Sequence, residues 1–171
     1  MHTARFGLAV LLALTCLGTA QAGRLPTYST YALDDVEPWS EGNYTLPAYP
    51  DKPEWVGFYV HHTLNNQYFV DAKTLSVGED GVVHFILRVL SPSGAENLSV
   101  EGIHCQDSNY RSYAFGDSYN KRWIEATRAD WRKFAYDDKL RQRLHEDICI
   151  DKTPPKSAEA ALQLLKKAPW R

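Results

Sequence analysis

Four of the six histidines, His61, His62, His84 and His104, fall in or beside stretches where apolar and polar residues alternate. With Arg88, Glu101 and the cysteines they are the residues whose types could do chemistry. Imidazole is both a proton carrier near neutral pH and a common metal ligand. Residues 82–90 and 98–104 read as the two strands of a hairpin, and a register pairing Leu90 with Leu98 sets His84 opposite His104, close enough to share a metal ion or a proton. A slip of one residue would put them on different faces. A third ligand would have to come from His61, His62 or an acid, so packing is the default role and no metal is assigned. The same hairpin brings Arg88 near Glu101 or Ser99, where a cross-strand ion pair is the ordinary outcome and a carboxylate-binding arginine the functional one. Asp34-Asp35, Glu79-Asp80 and Asp137-Asp138 are sequence neighbours that diverge on a strand or helix, so none is a glycosidase pair. Gly-x-Ser-x-Gly, His-Glu-x-x-His and phosphate-loop patterns are missing. No catalytic residue or cofactor is assigned.

Ten tyrosines and five tryptophans are the other resource. Rigid aromatic rings offer contact area for glycans, peptides or proteins, and Tyr110, Tyr113, Trp123 and Trp131 are the binding candidates, with core packing as the alternative. Asn43 and Asn97 begin matches to the glycosylation acceptor pattern. The expected function is a noncatalytic binding or interaction module whose partner is an envelope protein or a glycan. The alternative is a cell-envelope hydrolase whose histidines and acids converge only in space.

Residues 1–22 supply the compartment. Arg5, an apolar run from Phe6 to Leu17 and Ala20-Gln21-Ala22 form a secretory signal peptide with cleavage expected after Ala22. The run is shorter than the roughly 20 residues a spanning helix needs, so no membrane span is expected after cleavage. Cys16 lacks the small-residue context of a lipidation site and is assigned to the discarded segment. Cys105 and Cys149 remain, an even pair in an exported chain, and a disulfide is expected between them. No Cys-x-x-Cys or His-x-x-x-His spacing accompanies them, which argues against a thiolate metal site.

The elements that must position these residues divide into an arm and a domain. Residues 23–54 carry five prolines interleaved with aromatic residues, a pattern that blocks helix and favours an extended arm packed on the domain through Trp39, Leu46, Tyr49 and Trp55. Its Pro47-x-x-Pro50-x-x-Pro53 spacing is compatible with a peptide ligand but lacks flanking charge. Residues 55–168 read as one domain. Alternation predicts strands near 56–60, 67–71, 75–77, 82–90, 98–104 and 111–115, with Asp80-Gly81 supplying a positive-φ turn. Strands are preferred over helix around Trp123, Ile124, Trp131 and Phe134. Leu140, Leu144 and Ile148 recur every four residues and predict a helix over 137–148. A last helix is expected from an N-cap at Ser157 to Lys167. The class is α+β, a mainly antiparallel sheet of five to seven strands followed by two C-terminal helices.

Charge is divided along the chain. Residues 23–120 hold 5 basic against 13 acidic side chains, a net of −8, whereas residues 121–171 hold 13 against 8, a net of +5. Basic and acidic residues alternate in the tail, so the halves neutralise each other within the fold, and no nucleic-acid partner is expected.

The order of motifs resembles a known family. Leu46-Pro-Ala-Tyr-Pro50, Tyr68-Phe-Val-Asp71, Leu75-Ser-Val-Gly78, Asp80-Gly-Val-Val83, Glu101-Gly-Ile103, Cys105, Tyr113-Ala-Phe-Gly116, Trp123 and Trp131 together resemble the cryptic neisserial protein 1-like family of exported bacterial proteins. The resemblance runs from about Trp39 to Cys149 and is most specific from Tyr68 to Gly116. It departs at Val83-His84-Phe85, where the family more often has Arg and Tyr after the valine, so no family-wide metal role attaches to His84. It implies a periplasmic bacterial protein with a Cys105–Cys149 pair and carries over no activity, substrate or catalytic residue.

Overall fold

A computed structural model describes residues 38–168. The expected signal peptide and the first part of the arm lie outside the described residues. Eight strands form one antiparallel sheet: β1 Trp55–Phe58, β2 Gln67–Asp71, β3 Ser76–Val77, β4 Val82–Leu90, β5 Glu96–His104, β6 Asn109–Asp117, β7 Arg122–Glu125 and β8 Arg132–Lys133. Two helices follow, α1 Lys139–Ile148 and α2 Ala158–Lys167. The main strand order is β1-β2-β4-β5-β6-β7, with β3 sharing the outer edge of β4 and β8 that of β6. The α+β class and the order of strands then helices match the sequence reading, and the strands preferred around Trp123–Ile124 and Trp131–Phe134 are present as Arg122–Glu125 and Arg132–Lys133.

Period-2 alternation in β4 gives two buried faces. Val83, Phe85 and Leu87 join Val70, Ile103 and Cys105 against Leu144, Ile148, Ala161 and Leu165 of the helices. Ile86, Val100 and Ala114 face the other way, where Tyr44 and Leu46 from the extended segment 39–50 cover them together with Trp55, Tyr113 and Trp123. This strap holds no regular secondary structure and spends its aromatic residues on the sheet, the behaviour its prolines predict.

The hairpin register differs from the expected one. Leu90 pairs with Glu96, His84 with Gly102 and His104 with Val82. The turn is tighter because Ser91 closes on Ala95 through backbone and side chain, with Gly94 at φ 85°, so the second strand begins two residues earlier, at Glu96, while the first keeps its expected bounds. A second irregularity lies between β5 and β6. Val100 pairs with Ala114 but Glu101 pairs with Ser112, leaving Tyr113 as the extra residue of a bulge. A bulge re-aims side chains, and here it turns Arg111 and Tyr113 toward the strap while Tyr110 and Ser112 face the helices.

Two devices fasten α1. Cys105, one residue beyond β5, is bonded to Cys149 at the end of the helix, with Cα atoms 5.4 Å apart. At the other end Asp138 caps the helix through Arg141 N, and the Arg141 guanidinium donates to both oxygens of fully buried Glu101 at 2.7 Å. Burial opposes the Arg141 charge, but the bonds to Glu101 and Asp138 more than offset it, and its pKa is raised. Removing one partner of such a buried pair costs about 3–5 kcal/mol. Arg141→Met should therefore lower unfolding free energy by about that amount in urea titration. Cys105→Ser/Cys149→Ser opens a loop of sequence separation 44 and should cost about 2–5 kcal/mol in the same assay.

Candidate functional site

The strap and the strand face beneath it enclose a cluster of polar groups. Glu41, an acid without periodicity in a proline-rich arm, has a side chain only 11% exposed. One oxygen accepts from Arg111 Nη1 and, at 2.9 Å, from Trp131 Nε1; the other accepts from the Tyr113 hydroxyl. Gly102 makes room for that phenol, since a Cβ there would lie 2.8 Å from the Tyr113 hydroxyl. Asp80 fastens the strap's other contact, accepting Gly42 N on its carboxylate and Trp39 Nε1 on its backbone carbonyl.

His84 and His104 sit on this same face but do not meet as a pair. Each ring lies under its own aromatic partner, His84 stacked on Tyr44 at 3.8 Å and 6° and His104 on Trp39 at 4.1 Å and 22°. The two-residue register difference makes them diagonal neighbours instead of opposites, which separates the candidate metal pair. Among the described residues no group of three or more His, Cys, Asp or Glu side chains is placed to hold a metal ion. His61 and His62 belong to the loop between β1 and β2, where His61 Nδ1 lies 2.8 Å from the Thr63 hydroxyl.

The expected neighbourhood of Arg88 and Glu101 is also corrected. Arg88 pairs with Glu96 at 2.5 Å and lies over the rings of Trp55 and Phe69, whereas Glu101 projects from the opposite face into the grip of Arg141 and Ser99. The observed register sets Arg88 against Leu98 and Glu101 against Phe85, and alternation sends the two side chains apart. The four aromatic binding candidates are placed in packing. Tyr110 stacks on Phe134 and under Arg141, Tyr113 and Trp131 hold Glu41, and Trp123 donates to the Pro47 carbonyl at 2.9 Å.

His104 Nδ1 and Arg111 Nε are buried without a hydrogen bond, but His84 alone in this cluster has both ring nitrogens so. His84 is 3% exposed, and neither ring nitrogen has a partner; its Nε2 lies 3.9 Å from Glu41, beyond hydrogen-bond reach. A cavity of about 360 Å³ opens beside it, bounded by Tyr44 and Asn43 of the strap, Ser76 of β3 and the turn residues Glu79 and Asp80. Burial lowers the His84 pKa against the opposing pull of Asp80 and Glu41, so the ring is neutral at pH 7 and offers one donor and one acceptor. Burial raises Tyr44 to about 12 and, with the Glu41 contact, raises Tyr113 further, so both phenols keep their protons. Sequence reasoning singled out His84 and Tyr113 but missed Glu41 and Tyr44. The available signal was the placement of that acid between Trp39 and Tyr44 in an arm expected to pack on the domain.

The CNP1-like family matches residues 34–166. The chain is 28% identical over 144 residues to "Cryptic neisserial protein 1" of Neisseria gonorrhoeae, an alignment covering 74% of this chain and 70% of that protein. No solved structure matches.

The His84 environment has a measurable consequence. A histidine whose folded pKa is depressed binds protons more readily in the unfolded chain, so its contribution to stability is complete above the ordinary histidine value of about 6.5 and is lost as pH falls below it. Glu41, Tyr44, Asp80 and Tyr113 surround the ring, and the two phenols do not titrate in this range. Urea titrations between about pH 8 and pH 5 should show stability falling toward acid, and His84→Gln should flatten that fall.

Proposed function

The chain belongs to the CNP1-like family, and from that premise we propose that it is an exported periplasmic protein acting as a noncatalytic binding module of the cell envelope. Export rests on the N-terminal pattern of Arg5, the apolar run and Ala20-Gln21-Ala22. In this reading residues 1–22 are cleaved, 23–54 form the arm, and 55–168 form the single domain it covers.

The observation that carries the binding function is the unpartnered, buried His84 at the cavity under the strap. A native protein seldom leaves such a group unsatisfied, because an unmet buried donor or acceptor costs about 1–3 kcal/mol. A ligand that completes its hydrogen bonds recovers that cost on binding. The groups around it that are most capable of catalysis have structural partners: Glu41 accepts three donors, Tyr113 donates to Glu41, and Asp80 accepts the Gly42 and Val82 amides.

The hydrolase reading has one observation in its favour. Ser76 is the cross-strand partner of His84, and Glu41 lies beside the imidazole, so a hydroxyl, an imidazole and an acid share one face. No hydrogen bond joins Ser76 to His84, which favours binding over nucleophilic chemistry.

A photo-activated cross-linking residue in place of exposed Ser76, used in intact cells of the bacterium, tests the proposal. The expected result is a reproducible envelope adduct, absent when the same residue replaces Tyr119, on a periplasmic chain whose mass begins at Gly23. A full-length cytosolic chain would overturn export. Adducts that do not depend on position would overturn the cavity as the binding site. Product release from envelope fractions by wild type but not by His84→Asn would establish the hydrolase instead.

A further inference from the structure

The polar character of the His84 cavity is one-sided. Glu79 and Asp80 place two carboxylates on its wall, Ser76 and Asn43 add neutral polar groups, and among the described residues no lysine or arginine lines it. Glu41, on the far side of the imidazole, already has Arg111 as its counter-charge. Asp80 spends both oxygens on the Gly42 and Val82 amides, whereas Glu79 is exposed and has no hydrogen bond or ion pair among the described residues. The neutral imidazole lines the same space, 3% exposed and with neither ring nitrogen hydrogen-bonded, so it holds one acceptor that no donor meets. The Tyr44 ring, stacked on His84, supplies an aromatic wall.

An anion entering this cavity would meet two carboxylates and no cation. An uncharged ligand would satisfy His84 but leave the Glu79 charge unanswered. A protonated amine answers each feature: its N–H groups donate to the imidazole nitrogen and to Glu79, its charge is matched by the paired carboxylates, and its methylene stem lies along the Tyr44 ring. We propose that the cavity under the strap binds an organic ammonium group through His84, Glu79 and Tyr44. This deepens the binding-module reading by naming the chemistry of its ligand, and rests on it. The ammonium group has two sources, a free small amine or the side chain of a lysine-like residue on a peptide.

The test uses the disulfide-intact protein and follows the His84 ring resonances by NMR on titration with four probes. Two are cationic, 1,5-diaminopentane and Nα-acetyl-lysine amide; two are controls without a positive charge, butanol and butyrate. Saturable shifts with the cationic probes alone are expected, weakened at least fivefold by Glu79→Gln, a substitution at an exposed position that should leave the fold intact. Tighter binding of the lysine derivative by tenfold or more assigns the group to a peptide, and equal binding assigns it to a free amine. No response to either cation at about 10 mM, or affinity unchanged in Glu79→Gln, would overturn the ammonium assignment. Saturable binding of butanol or butyrate at His84 would also overturn it while leaving the binding module standing. Loss of the Ser76 adduct in cells would strike the module itself.

Discussion

The carboxylate of Glu41 is the point on which the strap side of this protein depends. A charge this little exposed persists only when its oxygens are filled, and here a guanidinium, a phenol and an indole fill them. Hydrogen bonds to a charged group contribute about 1.5–3 kcal/mol each, enough to hold an extended segment that has no strand pairing of its own. The donors come from β6 and from the chain just before β8, and two of them reach Glu41 because the bulge at Tyr113 reverses the local alternation. Without that extra residue, regular pleating from Ala114 would send Tyr113 and Arg111 toward the helices.

The opposite face obeys a similar constraint by different means. A sheet with two apolar faces needs two covers. On one side these are α1 and α2, pinned by the Cys105–Cys149 bond at one end of α1 and by the Arg141–Glu101 clasp at the other. Both covers are thus anchored on a buried glutamate and an arginine, Glu41 with Arg111 and Glu101 with Arg141. The difference between them is what lies nearby. Glu101 also borders a cavity, but its oxygens are filled by Arg141 and Ser99, whereas Glu41 stands next to a histidine that no described group satisfies and that borders open space. That asymmetry places the binding proposal on the strap side.

Much of the architecture was legible. The strands, the two helices and the cap at Ser157 follow from alternation, four-residue recurrence and local capping chemistry, whereas the cap at Asp138 starts the first helix two residues later than its periodicity suggested. Asp80-Gly81 marks its turn with a positive φ at the glycine. The Arg88–Glu101 neighbourhood and the His84–His104 opposition were misplaced for one reason: periodicity reports that a residue lies on a strand but not which residue faces it, and the Ser91 to Ala95 closure sets that pairing.

By itself, then, the amino-acid sequence determined the α+β class, the element order and the two cysteines that pair, because these depend on local periodicity and on there being one pair of cysteines beyond residue 22. Tertiary structure decided the hairpin register, the bulge at Tyr113 and the convergence on Glu41. These contacts join residues about seventy to ninety positions apart, through a segment with no periodicity to announce its path. The same long-range closure leaves His84 buried, neutral and without a partner beside an acidic cavity.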